Sequence, residues 1–455
     1  MVFQTKGIRY IVWVFTAFLK KNLQVLLLSF LLSLLGVIAL VSFSPYLLKF
    51  ITTNQIVIGI TGVYTPDKLP SEILSKFSNG LLYINDKGEM IPLLVDSWEP
   101  VDGGREYRFH LKKDLTWNDG VPLKAKDIQY SFKDIATEAP NDYLLVFKLP
   151  KPLPIFPTFL TKPLTKYPLI GIAGVYRVGD IRIRAGNVQE VQLIPNQEDM
   201  PRLVYKFYDT DTKLIDAYKL GEITLMTTNK KNVVDQFKQW KNTNIKREVD
   251  YTKVMALFYN LDNPYFKDNK DLRQTIAQSI DQQIYSEFGE RAYGPIPPTS
   301  WAYETDTKKF SYNPNAASKI IDKFNEASES ATLKISTYYD NLTLADGIKD
   351  NLDAAGVKTQ VEVLTGNLPV DYDIFLAQLI LSKDPDQYFF WHSTQIKGNI
   401  THYTNVRIDK LLEDARNTFN IANRKAFYSD FQKILVDDMP AYFLYHPYMY
   451  TIERK

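Results

Sequence analysis

The densest run of side chains that could do chemistry lies between Lys383 and Tyr403. Asp384-Pro385-Asp386 is followed closely by Trp391 and His392, then by His402 and Tyr403. An indole can stack on a ligand while a carboxylate fixes an amine, so Asp384, Asp386, Trp391 and His392 are candidates for one edge of a binding cleft. Two of them also have plainer readings: Trp391 as a core residue, and Asp384 before Pro385 as a helix cap. Lys383 hints at a ligand carrying an anionic group, and a surface ion pair accounts for it about as well. Tyr403 is a further aromatic candidate. So is Tyr64, in the loop after the first strand, where a merely exposed tyrosine is the simpler alternative.

Covalent chemistry finds no support. The four histidines, His110, His392, His402 and His446, include no pair four apart with a glutamate between them, and His392 with His402 makes a poor metal site. No nucleophile elbow, dinucleotide fingerprint or phosphate loop is present. The chain has no cysteine, which excludes disulfides, thiol catalysis, zinc–thiolate sites and a lipid anchor on cysteine. A net charge of +2 with 23 % charged residues gives no field for nucleic acid. The expectation from these residues is no enzyme, no cofactor and no metal.

The elements that would position these residues alternate between strand and helix, which argues an α/β fold. Ile56–Ile60 reads as a buried first strand, Ser71–Ser78 as a helix, and Leu81–Ile84 as a strand entering a turn. Tyr107–Leu111 alternates with period two, and Lys126–Thr137 carries Ile128, Phe132 and Ile135 at helical spacing. Pro150–Pro168 reads as a connector. Asp209–Leu220 is a helix stopped by Gly221. Met255–Leu261 is a strand, and Leu272, Ile276, Ile280 and Ile284 recur every four residues on one helix. Asn313-Pro314 opens a helix through Phe324. Leu333–Tyr338, Leu342–Ala355 and Lys358–Leu364 form a β-α-β unit, and Tyr372–Leu381 is a further buried strand. Helices over Asp409–Thr418 and Asn423–Val436 precede a short apolar end, Ala441–Tyr450.

The amino terminus sets the location. Val25–Phe43 reads VLLLSFLLSLLGVIALVSF, and about 20 apolar residues cross a hydrocarbon core of about 30 Å. Lys6, Arg9, Lys20 and Lys21 precede the tract, so the positive-inside rule keeps the first residues cytoplasmic and exports the chain beyond the tract. A cleaved signal peptide competes, but the tract is long for one and lacks a convincing A-x-A site. Ile8–Leu19 reads as an interfacial amphipathic helix, with contact to a membrane partner as its alternative. The expected layout is a segment 1–22 at the cytoplasmic face, a transmembrane helix over 23–48, and a single-pass membrane protein whose bulk is extracytoplasmic.

Several segments resemble the family 5 extracytoplasmic solute-binding proteins, which deliver oligopeptides, nickel complexes and related solutes to ABC importers. They begin with Pro92-Leu93-Leu94-Val95-Asp96-Ser97-Trp98-Glu99, leading into Tyr107–Leu111. Trp117-Asn118-Asp119-Gly120-Val121-Pro122-Leu123 and Lys126-Asp127-Ile128-Gln129-Tyr130-Ser131-Phe132 come next. Later come Leu220-Gly221-Glu222-Ile223, Tyr259-Asn260, Leu272-Arg273-Gln274-Thr275-Ile276, Asp384-Pro385-Asp386, Trp391-His392-Ser393, Tyr403-Thr404-Asn405 and Asp409-Lys410-Leu411-Leu412-Glu413. The resemblance implies a type II periplasmic-binding-protein-like fold of two hinged lobes plus an accessory subdomain. Lobe I would cover 55–258 with the subdomain over 94–168, lobe II 259–440, and 441–455 would be a short return segment. It also places Asn260 just past the crossover, where ligand contacts are common. The implied partners are a peptide or other small polar solute and the ABC permease subunits, with a sensory or structural ectodomain as the alternative job. Two departures stand out. Ile172-Ala173-Gly174-Val175-Tyr176 replaces a Gly-Thr-Gly-Pro-Tyr-like turn, and Leu381-Ser382-Lys383 stands where peptide binders often carry an acid for the α-ammonium, leaving Asp384 or Asp386 to substitute.

Overall fold

The computed structural model describes residues 5–51, 55–327, 332–366, 368–369 and 371–455, with the side chains of 5, 6, 8, 9, 11, 39–51, 324, 325 and 327 outside the described part. The chain forms two compact units, Met1–Gln55 with Asp199–Arg202, and Ile56–Glu198 with Leu203–Lys455.

In the first unit a helix over Thr5–Lys21 is followed by a second over Leu23–Ile51. Among the described residues no single helix is long and apolar enough to cross a membrane; Val12–Lys21 and Leu23–Ile38 pass that test only as a pair bent by 75°. The last residues of the Val25–Phe43 tract have side chains outside the described part, and so does most of the flank after it.

The second unit is built on one mixed sheet. Its strands run in the order Thr359–Leu364, Leu333–Tyr338, Ile374–Ile380, Lys253–Tyr259, Ala441–Arg454, Leu225–Thr228, Gln55–Thr61, Arg202–Tyr208, Asn187–Pro195 and Tyr176–Arg184. Thr243–Val249 and Gly289–Arg291 also pair with Ala441–Arg454. Val254 to Tyr259 is buried residue by residue, as expected of a strand covered on both faces. Leu333–Tyr338 and Thr359–Leu364 pair in parallel through the helix Leu342–Ala354, and Asp211–Leu220 is capped by the Thr210 side chain and closed by Gly221 at φ 81°.

The strand Ala441–Arg454 divides the sheet into two halves. Its first residues pair with Met255–Phe258, and Tyr448–Arg454 pair with Thr243–Val249. The chain therefore passes between halves at Asp250–Thr252 and again at His446-Pro447. The expected short return is one 14-residue strand that serves both halves. At the crossing the backbone N–H of Asp250 donates to Pro447 O at 2.8 Å, and His446, 1 % exposed, places Nδ1 2.8 Å from Lys253 O. A carbonyl only accepts, so Nδ1 carries the proton.

A separate antiparallel sheet, Val95–Val101, Glu106–Leu111, Leu144–Lys148 and Ala136–Asn141, holds its own core of Tyr107, Phe109, Trp117, Phe147 and Phe156. Two expectations fail around it and further on. Lys126–Thr137 is not a helix: a 3-10 turn at Ala125–Asp127 leads into extended chain and then the strand from Ala136. Ile128 and Phe132 share a face in either conformation, but Tyr130 joins them, stacking on Phe132 at 5.7 Å, so the true period is two. The helix through Leu272 and Ile276 ends at Ser279; Ile280 is extended, and Asp281 caps a new turn that carries Ile284. In the departed turn Ala173 takes φ 55° where a glycine would be unstrained, and Gly174 lies against the Phe77 backbone with no room for a Cβ.

His446 makes the crossing pH-sensitive. Burial pulls its pKa below the ordinary 6.5, outweighing the pull of the Lys253 carbonyl, Glu290 and Asp250 in the other direction. Below about pH 6.5 the unfolded chain takes up a proton that the folded chain refuses. The resulting stability is fully present above that pH and is lost as pH falls toward the folded value, by at most about 1.4 kcal/mol per pH unit. Urea unfolding of the full chain at pH 7.5 and 5.5 is expected to show a larger loss for the native protein than for His446→Gln. Equal losses would remove His446 as the cause.

Candidate functional site

The Asp-Pro loop that the sequence singled out folds into a charge-paired platform. Asp384 is buried and receives Arg424 Nη2 at 2.9 and 3.1 Å, while its Oδ1 also accepts from the Asp386 N–H. Asp386 receives Arg416 Nε at 3.0 Å, and that guanidinium lies 3.9 Å over the Tyr388 ring. Burial lowers Arg424, but the Asp384 charge outweighs it and keeps the guanidinium firmly protonated.

Trp391 is 1 % exposed, sits between Phe258 and Phe443 at 6.4 and 6.1 Å, and donates Nε1–H to Gln387. His392 stacks on Tyr388 at 4.1 Å. Its Nδ1 accepts from the Thr394 N–H, which leaves Nε2–H to donate to Glu413 at 3.3 Å. Asp384, Asp386, Trp391 and His392 are thus brought together, each held by protein partners.

The other candidates lie apart. Tyr64 is half-buried, edge-on to Phe207 at 5.2 Å, with its hydroxyl against Thr61 O. Asn260 holds Tyr372 O at 2.9 Å and the Asp262 N–H, at the end of the strand Lys253–Tyr259 away from the crossing. It lines an open recess of about 460 Å³ with Asp262, Asp371 and Asp373. Tyr403 donates to Asp438 at 2.6 Å.

Lys383 reaches across the gap between the halves. Its Nζ lies 2.8 Å from Tyr83 Oη, 3.4 Å from Asp86 and 4.4 Å over the Tyr83 ring. Tyr83 and Asp86 sit on the hairpin Leu82–Ile84/Met90–Pro92, whose turn residue Gly88, at φ 80°, packs against the Trp301 indole with no room for a Cβ. Trp301 in turn faces the Arg424 guanidinium at 5.3 Å, so the hairpin rests on the platform. Further along the gap Lys230 bridges Asp211 at 2.8 Å and Asp340 at 3.0 Å, and Lys231 pairs with Glu287. Burial lowers Lys230, but its carboxylate partners outweigh this and raise its pKa.

Beside these bridges a cavity of about 540 Å³ opens on the face of the strand Ile374–Ile380. Phe258, Tyr338, Phe375, Phe389 and Phe390 form its walls, Gln378, Asp340 and Lys397 its polar points, and Asn229 is the one lining residue from the other half. Sequence reading missed this set. The usable signal was the run Tyr388-Phe389-Phe390-Trp391, in which Phe389 is 51 % exposed and faces the cavity while Trp391 turns into the core. Among the described residues no cluster of His, Asp and Glu is arranged to hold a metal ion.

A two-part α/β sheet crossed twice, with a polar-rimmed cavity at the junction, is the architecture of the type II periplasmic binding proteins. The sequence pattern described as bacterial extracellular solute-binding proteins, family 5 Middle, matches residues 89–173 and 195–399, and the chain belongs to that family. Membership makes it a binding receptor rather than an enzyme. Among curated relatives, the oligopeptide-binding protein AppA of Bacillus subtilis is 24 % identical, with 85 % of this chain and 83 % of AppA aligned. The probable D,D-dipeptide-binding periplasmic protein DdpA of Escherichia coli is 25 % identical over 77 % of this chain and 78 % of its own length. Among solved structures, NikZ of Campylobacter jejuni in complex with Ni(L-His) superposes with a TM-score of 0.70 at 24 % identity, covering 89 % of this chain and 94 % of NikZ. CtaP of Listeria monocytogenes gives 0.71 at 19 % identity, covering 88 % and 94 %.

Asp384→Asn leaves the buried Arg424 uncompensated, and breaking such a pair costs about 3–5 kcal/mol. Urea unfolding of the full chain is expected to show a loss of that size; a loss under about 1 kcal/mol would mean that the platform relaxes around the charge.

Proposed function

We propose that this chain is a membrane-tethered extracytoplasmic receptor that binds a peptide or other small polar solute and presents it to an ABC importer. The observation that carries the reading is the junction itself: a cavity lined from both halves of the sheet, beside charged contacts that bridge the same gap. Family membership supports solute binding, and relatives named for oligopeptides and D,D-dipeptides support a peptide-like solute. The lobes are 56–249 with 448–455, and 253–445, hinged at 250–252 and 446–447. The accessory subdomain over about 94–168 belongs to the first. Strand pairing supports this boundary over one after residue 258, because Lys253–Tyr259 pairs along its length with Ile374–Ile380.

Binding acts by closure: a ligand touching both lobes stabilises the arrangement in which Lys230, Lys231 and Lys383 meet their partners, and the permease reads that arrangement. The apolar tract Val25–Phe43 supplies a single-pass anchor with the amino terminus cytoplasmic, holding the receptor at high local concentration near its permease.

Native mass spectrometry of the full chain, purified in detergent without refolding, tests the reading. A defined small-molecule mass is expected on release, and adding the solute back at a hundred times its Kd should stabilise the fold by about 2.7 kcal/mol, seen as a melting shift. No bound mass, and no shift across peptide, sugar and metal-chelate panels, would favour a sensory or structural ectodomain.

A further inference from the structure

The chemistry of the cavity narrows the solute, on the basis of the receptor reading above. The acids of the cavity wall and of the adjoining platform each already meet a cation. Asp340, on the cavity wall, is held by Lys230, Asp384 by Arg424, and Asp386 by Arg416. The lysine that replaces an acid before the Asp-Pro pair is turned to Tyr83 and Asp86. A ligand ammonium entering here would have to share a carboxylate whose charge a lysine or arginine already neutralises.

The opposite holds for an anion. Lys397 lines the cavity, is exposed, and has no hydrogen bond or ion pair among the described residues. The Gln378 and Asn341 side chains on the same wall are likewise uncommitted and offer amide donors. With no carboxylate partner among the described residues, Lys397 keeps its charge free for an incoming anion. The rings of Phe258, Phe375 and Phe389 supply apolar surface within a volume that suits a small ligand.

We propose that the cavity takes a small amphipathic anion, a carboxylate bearing an aromatic or branched apolar group, with Lys397 as its charge partner and no requirement for a free amine. A peptide would then be read by its carboxyl end and side chains, and an N-blocked peptide acid would serve as well as a free one.

Isothermal titration of the full chain in detergent with three probes tests this: N-acetyl-leucyl-phenylalanine, its C-terminal amide, and leucyl-phenylalaninamide. The acid is expected to bind about ten- to a hundredfold more tightly than either amide, the size of one charged hydrogen-bonding partner. Lys397→Gln, at an exposed position that leaves the fold intact, should bring the acid down to the level of its amide, and Phe389→Ala should weaken all three probes. Tighter binding of leucyl-phenylalaninamide, or an acid preference that survives Lys397→Gln, overturns the inference and leaves the receptor intact. Binding of a released solute of another class with none of the three probes does the same. If nothing binds at all, the receptor reading falls and this inference with it.

Discussion

One strand, Ala441–Arg454, has to satisfy the edges of both halves of the main sheet. Its early residues complete the ladder with Lys253–Tyr259, and its later residues lie between Leu225–Thr228 and Thr243–Val249. Losing it would strip backbone partners from strands on both sides at once, and buried backbone groups without partners are costly. The same requirement fixes where the chain passes between the halves. It does so at Asp250–Thr252 and His446-Pro447, and both stretches are held: Asp250 N–H donates to Pro447 O, and His446-Pro447 pair with Gly289-Glu290.

Charge is used in two ways around that crossing, and magnitudes separate them. Arg424 and Asp384 are both desolvated, so their pairing is required once they are buried, whatever its net contribution. The bridges over the gap are different. Asp86 and Asp340 are largely exposed, and pairs of that kind contribute from nothing to about 1 kcal/mol each. They bias the gap toward contact without locking it. A ligand of ordinary affinity outweighs them.

Much of the architecture was legible in the sequence. The β-α-β unit, the Gly221 helix stop and the buried Val254–Tyr259 run follow from local pattern, because each residue there obeys one periodicity and one environment. Legibility failed where two patterns coincide. Ile128 and Phe132 fit a helix and a strand equally, and Tyr130 decides through Phe147, Leu160 and Lys162, which lie farther along the chain. The site was harder for a related reason. Sequence reading favours polar residues as ligand contacts, yet Asp384 and Asp386 are consumed by Arg424 and Arg416, which lie well downstream. The cavity walls come instead from Phe258, Phe375 and Phe389, whose residue type alone says core.

That inversion bears on how far likeness of fold can carry a ligand assignment. The platform reproduces the order of residues that marks the family, and the superpositions extend over nearly all of the solved relatives. Neither property constrains the charge left free at the junction, which depends on single residues such as Lys397 and on which acids already have partners. Shifting Lys230 from Asp340 would leave an unpaired carboxylate on the cavity wall with no change in fold. The charge a ligand would meet there depends on the pairing state of a few side chains, and it has to be read there rather than from the sheet that carries them.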